Sequence, residues 1–188
     1  MPVLPGLLLW TAVAAAAPGP CPDDAGFRGR VAAARAAPVP GESLDVLALS
    51  LAACLGHPDP ALRDGLAYES LAAWLRADAL SAPARVALRD RLLVDLVAPD
   101  PDGFRRPFAA IVLAEVARTD RVSPWMPPAD RDRLVQAAAD YLAGVRDYRG
   151  FTDGEGWRHG VAHGADLAMQ LALNPALDRA ALDSLLEA

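Results

Sequence analysis

The chain has 188 residues, 18 Lys+Arg against 24 Asp+Glu, a net charge of −6 and a hydrophobic fraction of 53% in which alanine is the commonest residue, with 41 Ala and only 11 aromatic residues. That length suits one domain of roughly 100–200 residues with a real core, and 14 Gly with 17 Pro fall short of a low-complexity composition. The negative charge disfavours a broad electrostatic grip on nucleic acid or anionic lipid, and the absence of Lys reads as coding bias without functional content.

Val3 to Ala17 is an uncharged apolar run ending in four alanines, followed by Pro18-Gly19-Pro20-Cys21-Pro22. An apolar stretch closed by small residues is the pattern of a secretory signal peptide. It is shorter than the roughly 18 residues a spanning helix needs, and Pro5-Gly6 interrupts it. Cleavage after Ala16 is expected, giving a periplasmic or secreted protein with no membrane attachment once residues 1–16 are removed. In an oxidising compartment Cys21 and Cys54 are able to pair, closing a loop of about 33 residues worth roughly 3 kcal/mol. The competing role for Cys54, inside the apolar run 47–55, is that of a small buried hydrophobe.

No segment alternates with period two, so strands are not expected, whereas helical signals are plentiful. The first helix runs from Asp23-Asp24 to Ala37, stopping before Pro38. The second, Ser43 to Cys54, places Leu44, Leu47, Leu51 and Cys54 on one stripe, with Gly56 past its end. Asp59 caps a third with Pro60 in its first turn, reaching about Ala77. Further helices are expected over 82–97, 104–118, 128–147, 154–173 and 176–187, each set off by Pro, Gly, Asp or Ser. The fold class is therefore all-α, a single helical domain over 23–188.

Pro58-Asp59-Pro60 recurs as Pro99-Asp100-Pro101, 41 residues on, each followed by Arg and an apolar helix. A period near 40 with a Pro/Asp turn resembles HEAT-type repeats, an α-α superhelix in which 43–77 and 82–118 form comparable helix pairs. An irregular helical bundle with coincidental proline turns is the alternative.

The composition changes between Tyr141 and Asp166, where two of the three histidines and four of the eleven aromatics fall within 26 residues. Thr152 and Glu155 have capping-box spacing, so the helix over 154–173 is expected to open there. His159, His163 and Asp166 then stand at i, i+4 and i+7, on one face. Two imidazoles and a carboxylate so placed suit a three-ligand metal site with an open position, although no Glu follows His159 as it would in HExxH. The same residues equally suit a buried polar network with Asp147 and Arg149, or a pocket for a small polar ligand. Tyr141 and Trp157 read as core.

The stretch RGFTDGEGWRHGVAHGADL, with the earlier HPDPALRDGLAY and RRPFAAIVLA, resembles the bacterial domain-of-unknown-function family 2785 over roughly residues 45–173. The resemblance implies an all-helical fold and a site around Arg149, Gly150, Trp157, His159, His163 and Asp166, and no known activity. Val145 stands where the family pattern suggests Glu, two residues before Asp147. Family members tend to continue beyond Ala188, so C-terminal helices are expected to be missing, exposing an apolar face there.

No glycine-rich phosphate loop, GxSxG elbow or nucleophile motif is present. Two functions remain. One is a non-catalytic binding or scaffold domain that takes a protein partner or a small polar ligand at Arg149, Trp157, His159, His163 and Asp166. The other is a metal-dependent hydrolase using His159, His163 and Asp166. The first is favoured, because no base or transition-state stabiliser is assignable beyond Asp153 and Glu155.

Overall fold

The computed structural model of the chain describes residues 20–188, so the expected signal segment 1–16 lies outside the described residues. Within them the helices are α1 (Ala25–Ala36), α2 (Leu44–Ala52), α3 (Glu69–Arg76), α4 (Ala82–Val97), α5 (Arg105–Val122), α6 (Pro128–Gly144), α7 (Gly160–Ala172) and α8 (Arg179–Leu186). A 3₁₀ turn, Ala53–Gly56, ends α2, and a π-helix, Ala61–Tyr68, leads directly into α3. The protein is all-α, as its sequence patterning requires. Local chemistry starts the helices: Asp24, Ser43, Ser81 and Asp178 each accept a hydrogen bond from the backbone N–H three residues on, opening α1, α2, α4 and α8.

The centre of the molecule is α5. Pro107 to Ala117 are all buried, and a helix apolar on every side has to be enclosed by others. Helices α3, α4 and α7 pack on it, and α7 also packs on α6. The α6–α7 contact depends on Gly164, where a Cβ would stand 2.6 Å from Leu142 Cδ2 and 2.9 Å from Tyr141 Cε1. At the other end of the chain, α8 buries no residue, and Met169, Leu173 and Leu186 are exposed.

The two proline turns share one device. Asp59 Oδ1 accepts from the Ala61 N–H at 2.9 Å, and the Asp100 carboxylate accepts from the N–H groups of Gly103, Phe104 and Arg106. Each turn thus supplies the anion that the free N–H groups of the next helix require. Cys21 and Cys54 form a disulfide with Cα atoms 4.7 Å apart, tying the segment before α1 to the 3₁₀ turn. Cys54 is fully buried as well, so the two roles open to it coincide.

Two expectations need correction. The helix placed at 154–173 begins only at Gly160, and 128–147 ends at Gly144. Between them lie two short antiparallel strands, β1 (Phe151–Thr152) and β2 (Gly156–Trp157), with Phe151 opposite Trp157. Thr152 and Glu155 do not cap a helix: the Glu155 N–H donates to the Thr152 carbonyl across a turn through Asp153-Gly154. Asp-Gly between β-forming aromatics is a hairpin signal, and it prevails over the capping-box spacing because Gly154 takes φ 78°, outside the right-handed helical region.

Candidate functional site

The hairpin rests on the π-helix through Arg63, whose side chain is fully buried. Its guanidinium donates to Asp64 Oδ1 at 2.6 Å, to the carbonyls of His57 and Pro58, and to the Glu155 carbonyl at 2.8 Å. It also stacks on Phe104 at 3.9 Å, while Arg158 lies over that ring at 4.3 Å. Gly156 lets the strand come this close: its φ is +81°, and a Cβ there would be 3.0 Å from the Arg63 guanidinium. The i→i+5 bonding that places Arg63 and Asp64 is seen in the Glu69 N–H, which donates to the Asp64 carbonyl. Such π-segments recur at functional sites.

Beyond the hairpin the chain enters α7 through His159, which adopts the left-handed conformation at φ 55°, uncommon for a residue with a side chain. Its ring stacks on the Trp157 indole, with centroids 4.2 Å apart and planes 7° from parallel. Trp157 also meets Phe151 edge-on at 5.4 Å and remains 46% exposed, so it is not core. Among the described residues the exposed aromatics are Tyr148, Phe151 and Trp157, all within ten positions of the chain.

His163 lies one turn further along α7, its ring centroid 5.3 Å from that of His159 and 5.2 Å, edge-on, from that of Phe108. Nδ1 is 3.1 Å from the Pro107 carbonyl oxygen. A carbonyl only accepts, so Nδ1 carries the hydrogen and Nε2 keeps its lone pair. Burial, then the neighbouring His159, lower the His163 pKa to about 4 against the raising effect of the Pro107 bond, so the ring is neutral at pH 7.

Across from α7 stand Asp64 and Tyr68, four residues apart on the π-helix. Burial raises the Asp64 carboxyl above its ordinary range despite the adjacent Arg63. Burial, then the charge of Glu115, raise the Tyr68 phenol, and Asp166 adds to the effect. Tyr68 meets the same Phe108 edge-on at 6.4 Å. At the far end Glu115, almost buried, takes both sides of the Arg76 guanidinium.

The π-helix with α3 stands on one side of Phe108 and α7 on the other; α3 and α7 both pack on α5 and make at most marginal contact with each other. Phe108, itself buried, lies between Tyr68 and His163, Trp157 and His159 stand just before α7, and Asp166 lies one turn past His163. The structure thus brings together Trp157, His159 and His163, with Asp166 following. The Arg149 guanidinium pairs with Asp147 and reaches the Asp102 carbonyl. The loop at Asp147 is met by Gly160, where a Cβ would be 3.2 Å from the Asp147 carbonyl, and Asp147, Tyr148, Arg149 and Gly150 share with His159 a cavity of about 310 Å³. Between this loop, Arg106, Tyr141 and Arg158 lies a separate cavity of about 70 Å³.

Among the described residues no three His, Cys, Asp or Glu side chains are grouped as a metal ion requires. The expected single helical face through His159, His163 and Asp166 is broken at its start, because His159 precedes α7 in the left-handed conformation; its imidazole lies flat on Trp157 while that of His163 is turned to Pro107. The opposite wall, Asp64 and Tyr68, was not anticipated as part of the site. Its signal lies in HPDPALRDGLAY, where an Asp and a Tyr four apart follow a proline turn.

Among the described residues no helix is long and apolar enough to cross a membrane. No curated protein and no solved structure matches the chain. The family model described as "Protein of unknown function (DUF2785)" matches residues 92–188, beginning within α4 and running past the 173 limit of the motif resemblance, while the π-helix lies outside it. That match covers more than half of the chain and includes α5, the hairpin and α7, so the chain belongs to this family.

Proposed function

We propose that this is an exported binding protein, without chemistry of its own, that takes a small polar ligand in the groove between the π-helix with α3 and α7. One observation carries the reading: His163, neutral and fixed to Pro107 through Nδ1, leaves Nε2 without a protein partner among the described residues, beside Phe108 and between two helical segments that make at most marginal contact with each other. A groove of this kind, apolar below with a few convergent polar groups, is the usual form of a ligand site. The left-handed His159 and the π-helix support it, since both are local departures from regular structure that flank the groove. Export is supported by the Cys21–Cys54 disulfide, which persists in oxidising compartments. The helix pairs on the two Pro-Asp-Pro turns are read as successive HEAT-type repeats, supported by the shared aspartate capping.

An NMR fragment screen on the disulfide-bonded protein tests the groove. The expected hits perturb the Trp157 indole, the His163 ring and the Tyr68 ring together. Hits that map elsewhere, or none at all, reject this reading.

A further inference from the structure

The cavity of about 70 Å³ beside the Asp147 loop is lined by three arginines, Arg106, Arg146 and Arg158, and two aspartates, Asp100 and Asp147. Tyr141, Pro107 and Val145 give it an apolar side. None of the side chains assigned to the groove lines it, so its chemistry is independent of that reading.

The acceptors of this cavity are already engaged. The Asp100 carboxylate accepts from the N–H groups of Gly103, Phe104 and Arg106, that of Asp147 accepts from the Arg149 backbone and guanidinium, and the Gly160 carbonyl accepts from the Tyr141 hydroxyl. The donors are not. Arg106 Nε donates to the Leu96 carbonyl at 2.8 Å, and the guanidinium faces the Tyr141 ring at 5.6 Å from its centroid. Its two terminal nitrogens have no partner among the described residues and are not sealed from water. Arg146 spends Nη1 on the Ala143 and Val145 carbonyls and keeps Nη2 unbonded among the described residues. Saturated acceptors beside open donors suit a ligand that brings acceptors.

Charge is a separate constraint. Arg149 pairs with Asp147 and Glu155 with Arg158, whereas Arg106 and Arg146 have no carboxylate partner among the described residues. Against these two stands Asp100, bonded to backbone alone. The exposed Asp102 carboxylate is outside the lining; only its carbonyl is used, by Arg149 and Arg158. The lining is thus matched by one negative charge, while a phosphate dianion would meet two carboxylates. One water needs roughly 10–15 Å³, so a cavity of about 70 Å³ takes on the order of five non-hydrogen atoms.

We propose that this cavity binds a small monocarboxylate, its two oxygens on the Arg106 terminal nitrogens and Arg146 completing the charge at the exposed rim. The planar fork of a guanidinium matches the two oxygens of a carboxylate, and the short aliphatic remainder lies against the apolar side. The carboxylate comes from a free short-chain acid or from the C-terminus of a peptide, with the same recognition chemistry.

The test titrates the full disulfide-bonded protein with propionate and follows the Gly103 and Gly160 amide and Tyr141 ring resonances. Propionamide, propylammonium and inorganic phosphate are the neutral, cationic and multiply charged counterparts, and N-acetylglycine stands for a peptide terminus. Propionate should shift these resonances saturably, and Arg106→Lys, which keeps the charge but not the fork, should weaken it about tenfold or more, the size of a lost hydrogen bond to a charged group. Arg146→Ala should weaken it roughly threefold, as an exposed charge does, at an unchanged melting temperature. Tighter binding of N-acetylglycine than of propionate assigns the carboxylate to a peptide terminus, and the reverse order to a free acid. Unchanged affinity in Arg106→Lys overturns the proposal; should that variant melt below wild type, unchanged affinity in Arg146→Ala does so in its place. Propionamide or propylammonium binding as tightly as propionate, phosphate binding more tightly, or silence toward both carboxylates also overturns it.

Discussion

Arg63 shows how one residue holds the site. It is charged and fully buried, and it joins the π-helix to the hairpin 92 positions later through the Glu155 carbonyl. Arg63→Met would strand Asp64 and three carbonyls, so a loss of about 3–5 kcal/mol is expected in chemical denaturation. Arg63→Lys should recover little, since one ammonium cannot span the same partners while stacked on Phe104. A loss below about 1 kcal/mol for Arg63→Met would show that the hairpin is held otherwise. Gly103 is a second such position: φ is +77°, and a Cβ would lie 2.4 Å from Asp147 Oδ2. Gly103→Ala should destabilise by roughly 1–3 kcal/mol. The sequence makes some of this legible. His159 and His163 stand out by type and spacing, but the left-handed turn at His159 has no glycine to announce it, and the Pro107 partner of His163 lies 56 residues away, which no local pattern encodes.

At the level of elements, Asp120 is the joint between α5, α6 and the turn before α8. Its carboxylate accepts from the N–H groups of Trp125 and Met126, from Arg131 and from Asn174. Burial pushes this carboxyl up, but the bonds from Arg131 and the others more than offset it and hold it below the usual carboxylate range. Asp120→Ala should therefore cost about 3–5 kcal/mol and loosen α8 first, visible as faster amide exchange over 179–186. Unchanged exchange there would limit Asp120 to the α5–α6 turn. The helix boundaries were readable where a capping residue meets an apolar stripe, as at Ser81 for α4. They were not readable at 145–159, where an Asp-Gly hairpin and a capping-box spacing occupy the same residues and tertiary contact with Arg63 favours the hairpin. The disulfide acts at the same scale: Cys21→Ser/Cys54→Ser should lower stability by roughly 3 kcal/mol by freeing the segment before α1.

For the molecule as a whole, stability should fall with acid in two stages. His163 has its pKa lowered from 6.5 to about 4 in the fold, so the unfolded chain binds that proton first, and stability is lost as pH falls from about 6.5 to about 4. His163→Asn, which keeps a donor for Pro107 but does not titrate, should flatten this stage. The second stage begins as pH falls into the ordinary carboxylate range, where the unfolded chain takes up the Asp120 proton, and is complete only below that range, where the folded Asp120 loses its bonded anion. Export predicts a mature species lacking residues 1–16 by intact mass, and a full-length cytosolic species would contradict it. The proposed binding site depends on the state of one imidazole, His163, and long-range ¹H–¹⁵N correlation spectra of the histidine rings between pH 4 and 8 report it. His163 should appear as the Nδ1–H tautomer with a free Nε2, unprotonated down to about pH 5. A ring that titrates near 6.5, or carries its proton on Nε2, would contradict the groove as described.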